Sequence, residues 1–196
     1  SDGTKEWLKS MEVENFYPLK IQYNEINSGD AGGMYDGFKI CDSDCEYVMQ
    51  LDNDLHPVTE NFIEKLVGIM DSDPKIGGIM LRRLGVGHKV NLMKPCKTIN
   101  GITLCKPQKL YSVFYRKELL EKINYWVNKE RIGWVFQISN KINQMGFEVL
   151  KTHDIEMLHV DGYRDVVKQG TEQAYRYPNY FKTITKVGTN YKTIKY

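Results

Sequence analysis

The chain has 196 residues, of which 41% are hydrophobic and 27% charged, and a formal net charge of +2. This is enough apolar material for one sizeable core, and no linker or low-complexity stretch divides it, so a single domain is expected. The near-neutral charge gives no mandate for nucleic acid, no apolar run approaches the roughly 20 residues of a membrane span, and no signal peptide is visible.

Residues 6–11 predict a short helix, and residues 19–23, alternating apolar and polar, predict a strand. Asn27-Ser-Gly-Asp-Ala-Gly-Gly is a turn of residues that tolerate unusual dihedrals or cap helices, and a helix over residues 32–40 follows. Small glycines there let a backbone approach a diphosphate, although a plain loop-to-helix connection explains the same residues. Tyr47, Val48, Met49 and Leu51 form an apolar run of the kind that makes a buried strand. Asp52 and Asp54 then arrive together with Asn53 between them, and Pro57, which lacks a ladder donor, ends the strand geometry.

Two carboxylates this close repel unless something positive lies between them. Hard oxygen ligands suit magnesium or manganese, which complete their shells with substrate phosphates. By the residues alone, a solvated acidic turn fits as well. The rim at the carboxyl ends of the strands is where open α/β sheets place ligands.

Thr59 predicts a helix cap, and Phe62, Ile63, Leu66, Val67 and Met70 recur at helical spacing until Asp71-Ser-Asp-Pro stops the helix. Residues 76–81 read as a buried strand closed by Arg82 and Arg83, which either meet a phosphate or form a solvated strand end. Residues 84–109 read as an irregular hairpin insertion on the acceptor side, with turns at Gly85-Val-Gly-His and Asn100-Gly-Ile. A strand over 110–115 and a helix over 116–123 follow. Val135, Ile138, Ile142 and Met145 mark a helix that Gly146 ends. Residues 148–151 and 155–159 predict two short strands, and 166–175 a last helix before a Tyr- and Lys-rich end. Cys41, Cys45, Cys96 and Cys105 are too sparse for a zinc site and point to a reducing, cytoplasmic compartment, with a Cys96–Cys105 disulfide as the other reading.

Several of these pieces occur in a telling order: Ser1-Asp-Gly-Thr, the Asn24-to-Phe38 turn and helix, Glu46 to Pro57, and Asp73-Pro-Lys-Ile-Gly-Gly-Ile-Met. From Ser1 to about His159 this order resembles the nucleotide-sugar-binding half of glycosyltransferase family 2 and related GT-A enzymes. The resemblance implies an α/β fold: a mixed, mainly parallel, Rossmann-like central sheet flanked by helices. Residues 1–110 would form the donor half, 111–160 the acceptor half and 161–196 a C-terminal extension. It also implies metal-dependent transfer of a hexose from a nucleotide-diphosphate sugar to a hydroxyl of a carbohydrate or other acceptor. Asp52, Asp54 and His159 would hold Mn2+ or Mg2+. Asp2 would contact the nucleoside, and Asn27, Gly29 and Asn53 would lie near the donor. By itself His159 reads equally as a hydrogen-bonded strand-end histidine, and His56 beside Asp54 is an alternative ligand.

Two departures stand out. Where the family keeps an acidic pair after Gly-Trp, this chain has Gly133 and Trp134 followed by Val135 and Phe136. Neither can take a proton, which leaves open a displaced base (Glu130, Asp161 or Asp165), a retaining mechanism, or no catalysis. The family also begins with a strand and helix before its Asp-Gly turn, so residues upstream of Ser1 are expected. A nucleotidyltransferase and a non-catalytic GT-A-like binding module are the competing readings.

Overall fold

The computed structural model describes residues 3–14, 19–25, 28–52, 55–84, 95–107, 111–125 and 134–159. Its elements, in chain order, are α1 (Thr4–Glu14), α2 (Gly29–Lys39), β1 (Tyr47–Met49), β2 (Leu55–Pro57), α3 (Phe62–Ser72) and β3 (Ile76–Leu84). They continue with β4 (Pro95–Ile99), β5 (Ile102–Cys105), β6 (Val113–Arg116), α4 (Lys117–Lys122), α5 (Trp134–Gln144) and β7 (Glu148–His159).

One seven-stranded sheet runs β1-β6-β3-β7-β5-β4, with β2 also paired to β7. The α/β class and the helix-flanked mixed sheet are as expected, but the balance of directions is different. Among the described residues only β3 and β7 are parallel neighbours, and the other pairings are antiparallel. β1, β3 and β7 all run the same way, but β6 returns between β1 and β3. The run Ile76–Leu81 looks like a parallel strand because it is buried on both faces. Helices on both faces produce that burial, and burial does not set a neighbour's direction.

The two faces carry two cores. On one, α2, α4 and α5 bring Ala31, Phe38, Leu119, Leu120, Ile138 and Ile142 against Val48, Met80, Val113 and Tyr115. On the other, α3 brings Leu66, Ile69 and Met70 against Ile79, Leu81, Phe114, Leu150 and Met157. β3 alternates between them, with Ile79 and Leu81 on the α3 side and Met80 on the α5 side. Gly77 permits the close approach of α4 and α5: a Cβ there would lie 2.6 Å from Ile142 and 2.8 Å from Leu119. Asn100 and Gly101 both take positive φ, 50° and 75°, which is the tight-hairpin geometry joining β4 to β5.

Four local expectations are corrected. Residues 19–25 contain no strand, and Leu19 is exposed. Alternation marks a strand only where a sheet edge receives it, and this segment has no ladder partner among the described residues. Pro57 ends a strand of its own, paired to Met157 on one side, which costs it no ladder donor. Thr59 is not the cap of α3, because its Oγ1 accepts the Glu156 N–H at 2.8 Å and Asn61 takes the cap position. The two late strands are one, β7, interrupted by a register shift between Met80 and Arg82 of its neighbour β3. Asp154 and Ile155 N–H both donate to Thr152 Oγ1 at this irregularity.

The expected helix over 166–175 lies outside the described residues. Cys41, Cys45, Cys96 and Cys105 are all free thiols. Among the described residues no helix is long and apolar enough to cross a membrane.

Candidate active site

β1 is buried at Val48 and hands the chain to Gln50, whose N–H continues the pairing with β6 through Val113 O at 3.1 Å. Gln50 is only 2% exposed, and its amide nitrogen donates to Asp52 Oδ1. A buried neutral donor fixes the carboxylate without neutralising it. Gln50 Oε1 is itself buried without a hydrogen-bond partner among the described residues. Asp52 is half-buried and beside it Leu51 is exposed. The Asp52 carbonyl accepts the Leu55 N–H at 3.1 Å, and the chain reverses into β2.

β2 brings a second expected residue to the same place. Its Leu55 lies opposite His159, the last residue of β7. The buried strands β1 and β7 therefore end at one rim, with the turn from Asp52 to Leu55 between them. Of His159 only the backbone is described, and Asn53 and Asp54 lie outside the described residues. Among the described residues no cluster of three or more His, Cys, Asp or Glu side chains is gathered that would hold a metal. His56, opposite Leu158, is half-buried, and burial pushes its imidazole below the usual range.

Gly29 opens α2 with φ at +68°, in the left-handed region that suits glycine. Gly32, one turn on, leaves no room for a Cβ, which would lie 2.3 Å from that of Ser28. Asn24 reaches across to Asp36 at 3.0 Å and steadies the approach to the helix. Asp2, Asn27, Glu130, Asp161 and Asp165 lie outside the described residues. Val135 packs in the core at 7% exposure and Phe136 is 54% exposed, so the two positions that replace the family's acidic pair are apolar in one case and solvent-facing in the other.

The strand-end arginines are not a simply solvated strand end. Arg82 Nη1 forms an ion pair with Glu156 Oε1 at 3.1 Å, with both side chains largely shielded from solvent. The Arg83 guanidinium lies over the Tyr111 ring, 5.3 Å from its centroid. Lys151, Tyr111 and Glu156 had no signal in the sequence. They come from β6's approach and from β7, and only the sheet gathers them.

A cavity lined by charged groups lies elsewhere. A space of 360 Å³, lined by Ser43, Cys45, Tyr47, Arg116, Lys117 and Glu121 among others, opens at the amino end of β1. Its cations are satisfied: Lys117 Nζ meets Glu121 at 2.8 Å, and Arg116 donates to the carbonyls of Met70, Asp73 and Ile76. The ligand-bearing rim of such sheets is the opposite one.

A sheet of this order, helices on both faces and an aspartate at the end of a buried strand define a GT-A-type α/β protein. The fold is similar to that of the mannosyltransferase PcManGT from Pyrobaculum calidifontis, solved with GDP-Man and Mn2+. The TM-score is 0.60 at 14% identity, over 82% of this chain and 45% of that one, so the chain spans less than half of that protein's length. Residues 1–134 match the model of glycosyl transferase family 2, and the chain belongs to that family. No curated protein matches it in sequence.

Proposed function

We propose that the chain is the donor-binding part of a metal-dependent glycosyltransferase that moves a hexose from a nucleotide-diphosphate sugar to a hydroxyl acceptor. The observation that carries this reading is the convergence of Asp52 and the end of β7 at one rim, through the Leu55–His159 pair. Family membership supports transfer of a sugar. The mannosyltransferase of like fold was solved with a nucleotide sugar and manganese, which supports the donor class and the metal.

Asp52 and Asp54, with His159, would hold Mn2+ or Mg2+; carboxylate oxygens with one imidazole fit either ion. When bound, such an ion neutralises charge developing on the leaving nucleoside diphosphate. Gln50 keeps Asp52 oriented by donating a neutral hydrogen bond from a buried position. Asp2, Asn27, Gly29 and Asn53 are proposed to line the nucleotide. Glu130 or Asp161 is proposed as the base that takes the acceptor proton, with residues 111–160 on the acceptor side. A cytoplasmic location is the setting that four free thiols favour.

Thermal melts with manganese plus UDP, GDP or dTDP test the reading. The expected result is an upshift that needs both metal and nucleotide and disappears in Asp54→Ala. Absence of a shift with every metal–nucleotide pair overturns it. A second reading is a GT-A-like binder without catalysis, favoured by the apolar Val135 and the solvent-facing Phe136. Donor-sugar hydrolysis in the same mixture separates the two: an enzyme releases nucleoside diphosphate, and a binder shifts its melting point without turnover.

A further inference from the structure

The rim that carries Asp52 also holds a crowd of cations around one tyrosine. Arg83 lies 5.3 Å from the centroid of Tyr111 and Lys151 Nζ lies 5.7 Å from the same centroid. The Arg83 N–H donates to Tyr111 Oη at 2.9 Å, which ties the ring to the end of β3. Arg82 joins from the preceding position and also donates to His153 O at 3.4 Å. Three basic side chains are thus grouped where the described carboxylates nearby are Glu156, paired to Arg82 at 3.1 Å, and Asp154. Asp154 Oδ2 is turned to the hairpin, accepting the Thr103 N–H at 2.6 Å.

Arg83 and Lys151 therefore have no carboxylate partner among the described residues. Arg83 Nε and His153 Nε2 are buried without a hydrogen-bond partner among them. Crowding and burial have a visible effect: burial pushes the Lys151 ammonium below its ordinary range and Arg82 adds to that, with Cys105 opposing. His153 is pushed down by burial and then by Arg82 and Lys151, so it adds a neutral donor rather than a fourth charge. Grouping desolvated like charges is unfavourable unless an anion joins them. A guanidinium steadied on an aromatic face is preorganised for a planar, two-point contact with oxyanions.

Position narrows the ligand. Arg83 is opposite Met157 in the β3–β7 ladder, and His159, opposite Leu55, is two residues further along β7. At about 3.3 Å per residue the cluster is therefore roughly 7 Å along the strand from the proposed donor site.

We propose that Arg83 and Lys151, supported by Arg82 and Tyr111, form an anion site that takes a phosphate group of a substrate without the help of a metal. The phosphate has two possible carriers, the nucleotide donor or a phosphorylated acceptor. Only that naming of carriers rests on the transferase reading; the site itself does not.

The experiment titrates inorganic pyrophosphate into the protein in chelator-treated buffer and follows 31P line broadening and the melting temperature. Wild type and Asp52→Asn are both expected to bind, with affinity falling as salt rises. Arg83→Gln and Lys151→Gln are each expected to lose about tenfold or more, with Arg83→Lys intermediate. Melts of the ligand-free variants establish that they are folded; if Arg83→Gln is not, Lys151→Gln and Arg83→Lys decide. Binding that is absent without metal, that survives both glutamine variants, or that disappears in Asp52→Asn overturns the proposal. Displacement of bound pyrophosphate by metal-free GDP or UDP assigns the site to the donor. Retention of pyrophosphate beside metal-loaded nucleotide assigns it to the acceptor. Either outcome supports the site. A protein that binds pyrophosphate here yet gives no metal–nucleotide shift retains the anion site and loses the transferase reading.

Discussion

The two ends of the central sheet treat positive charge in opposite ways. At the amino end of β1, Arg116 spends its donors on Ile76 O at 2.9 Å, on the carbonyls of Met70 and Asp73, and on Tyr47 Oη at 3.4 Å. Those carbonyls lie at the C-terminal end of α3, where a cation also meets the negative pole of the helix. Lys117 is paired with Glu121 beside it. At the carboxyl end, Arg83 and Lys151 face an aromatic ring and no described carboxylate. The lesson is that the end with a cavity lined by charged side chains is the structurally satisfied one. The end with unspent hydrogen-bonding capacity is the one where the fold family places ligands.

The sharpest way to break this contrast is to delete one cation at each end. Arg116→Met should cost about 3 kcal/mol in urea unfolding, because it strands several shielded carbonyls. Arg83→Met should cost under about 1 kcal/mol or stabilise, because it removes an uncompensated cation. Equal costs would erase the distinction.

The next effect is functional. Asp52→Asn should lower sugar transfer or donor hydrolysis by roughly 100-fold or more, with an unchanged melting temperature, as measured by nucleotide release. An unchanged rate would remove Asp52 from the site.

A smaller structural effect is expected midway between the two ends. Gly77→Ala should destabilise by about 1–3 kcal/mol, since its Cβ would press on Ile142 and Leu119. A neutral result would mean that α4 and α5 give way more readily than their packing indicates.

The smallest effect concerns pH. Lys97 donates to Asp73 at 3.0 Å and pairs with Glu148, pinning the β4–β5 hairpin to the end of α3 and the start of β7. The Lys97 hydrogen bond, then the Lys75 N–H, holds the Asp73 carboxyl below its usual range. A depressed native value means the contribution is complete above about pH 4 and is lost as pH falls through the lowered value. Lys97→Met should flatten that part of the stability–pH curve by under about 1 kcal/mol.

Parts of this molecule were legible in its residues. The α3 stripe was read from spacing, and Leu66 and Met70 are fully buried, but Ile63, read into the same stripe, is exposed and Ile69 takes the third buried position. The apolar run before Asp52 was read as a strand end, and β1 is one. The Asn100-Gly101 turn was read as a turn and closes a hairpin. Residues 19–23 misled because alternation describes a side-chain pattern, not the presence of a partner edge. Thr59 misled because its hydroxyl had a second suitor, Glu156 N–H, 97 residues away. Gln50 carried no signal, since a glutamine after an apolar run is ordinary until burial is known.

Local pattern determined the main helices and where the first carboxylate would emerge, because those depend on neighbours within a few residues, and the order of such pieces along the whole chain carried the family resemblance. Tertiary structure decided strand direction, the meeting of Leu55 with His159, and the gathering of Arg82, Arg83, Lys151 and Tyr111. These are relations between segments far apart in the chain, set by which faces and edges pack together, and nothing local encodes them.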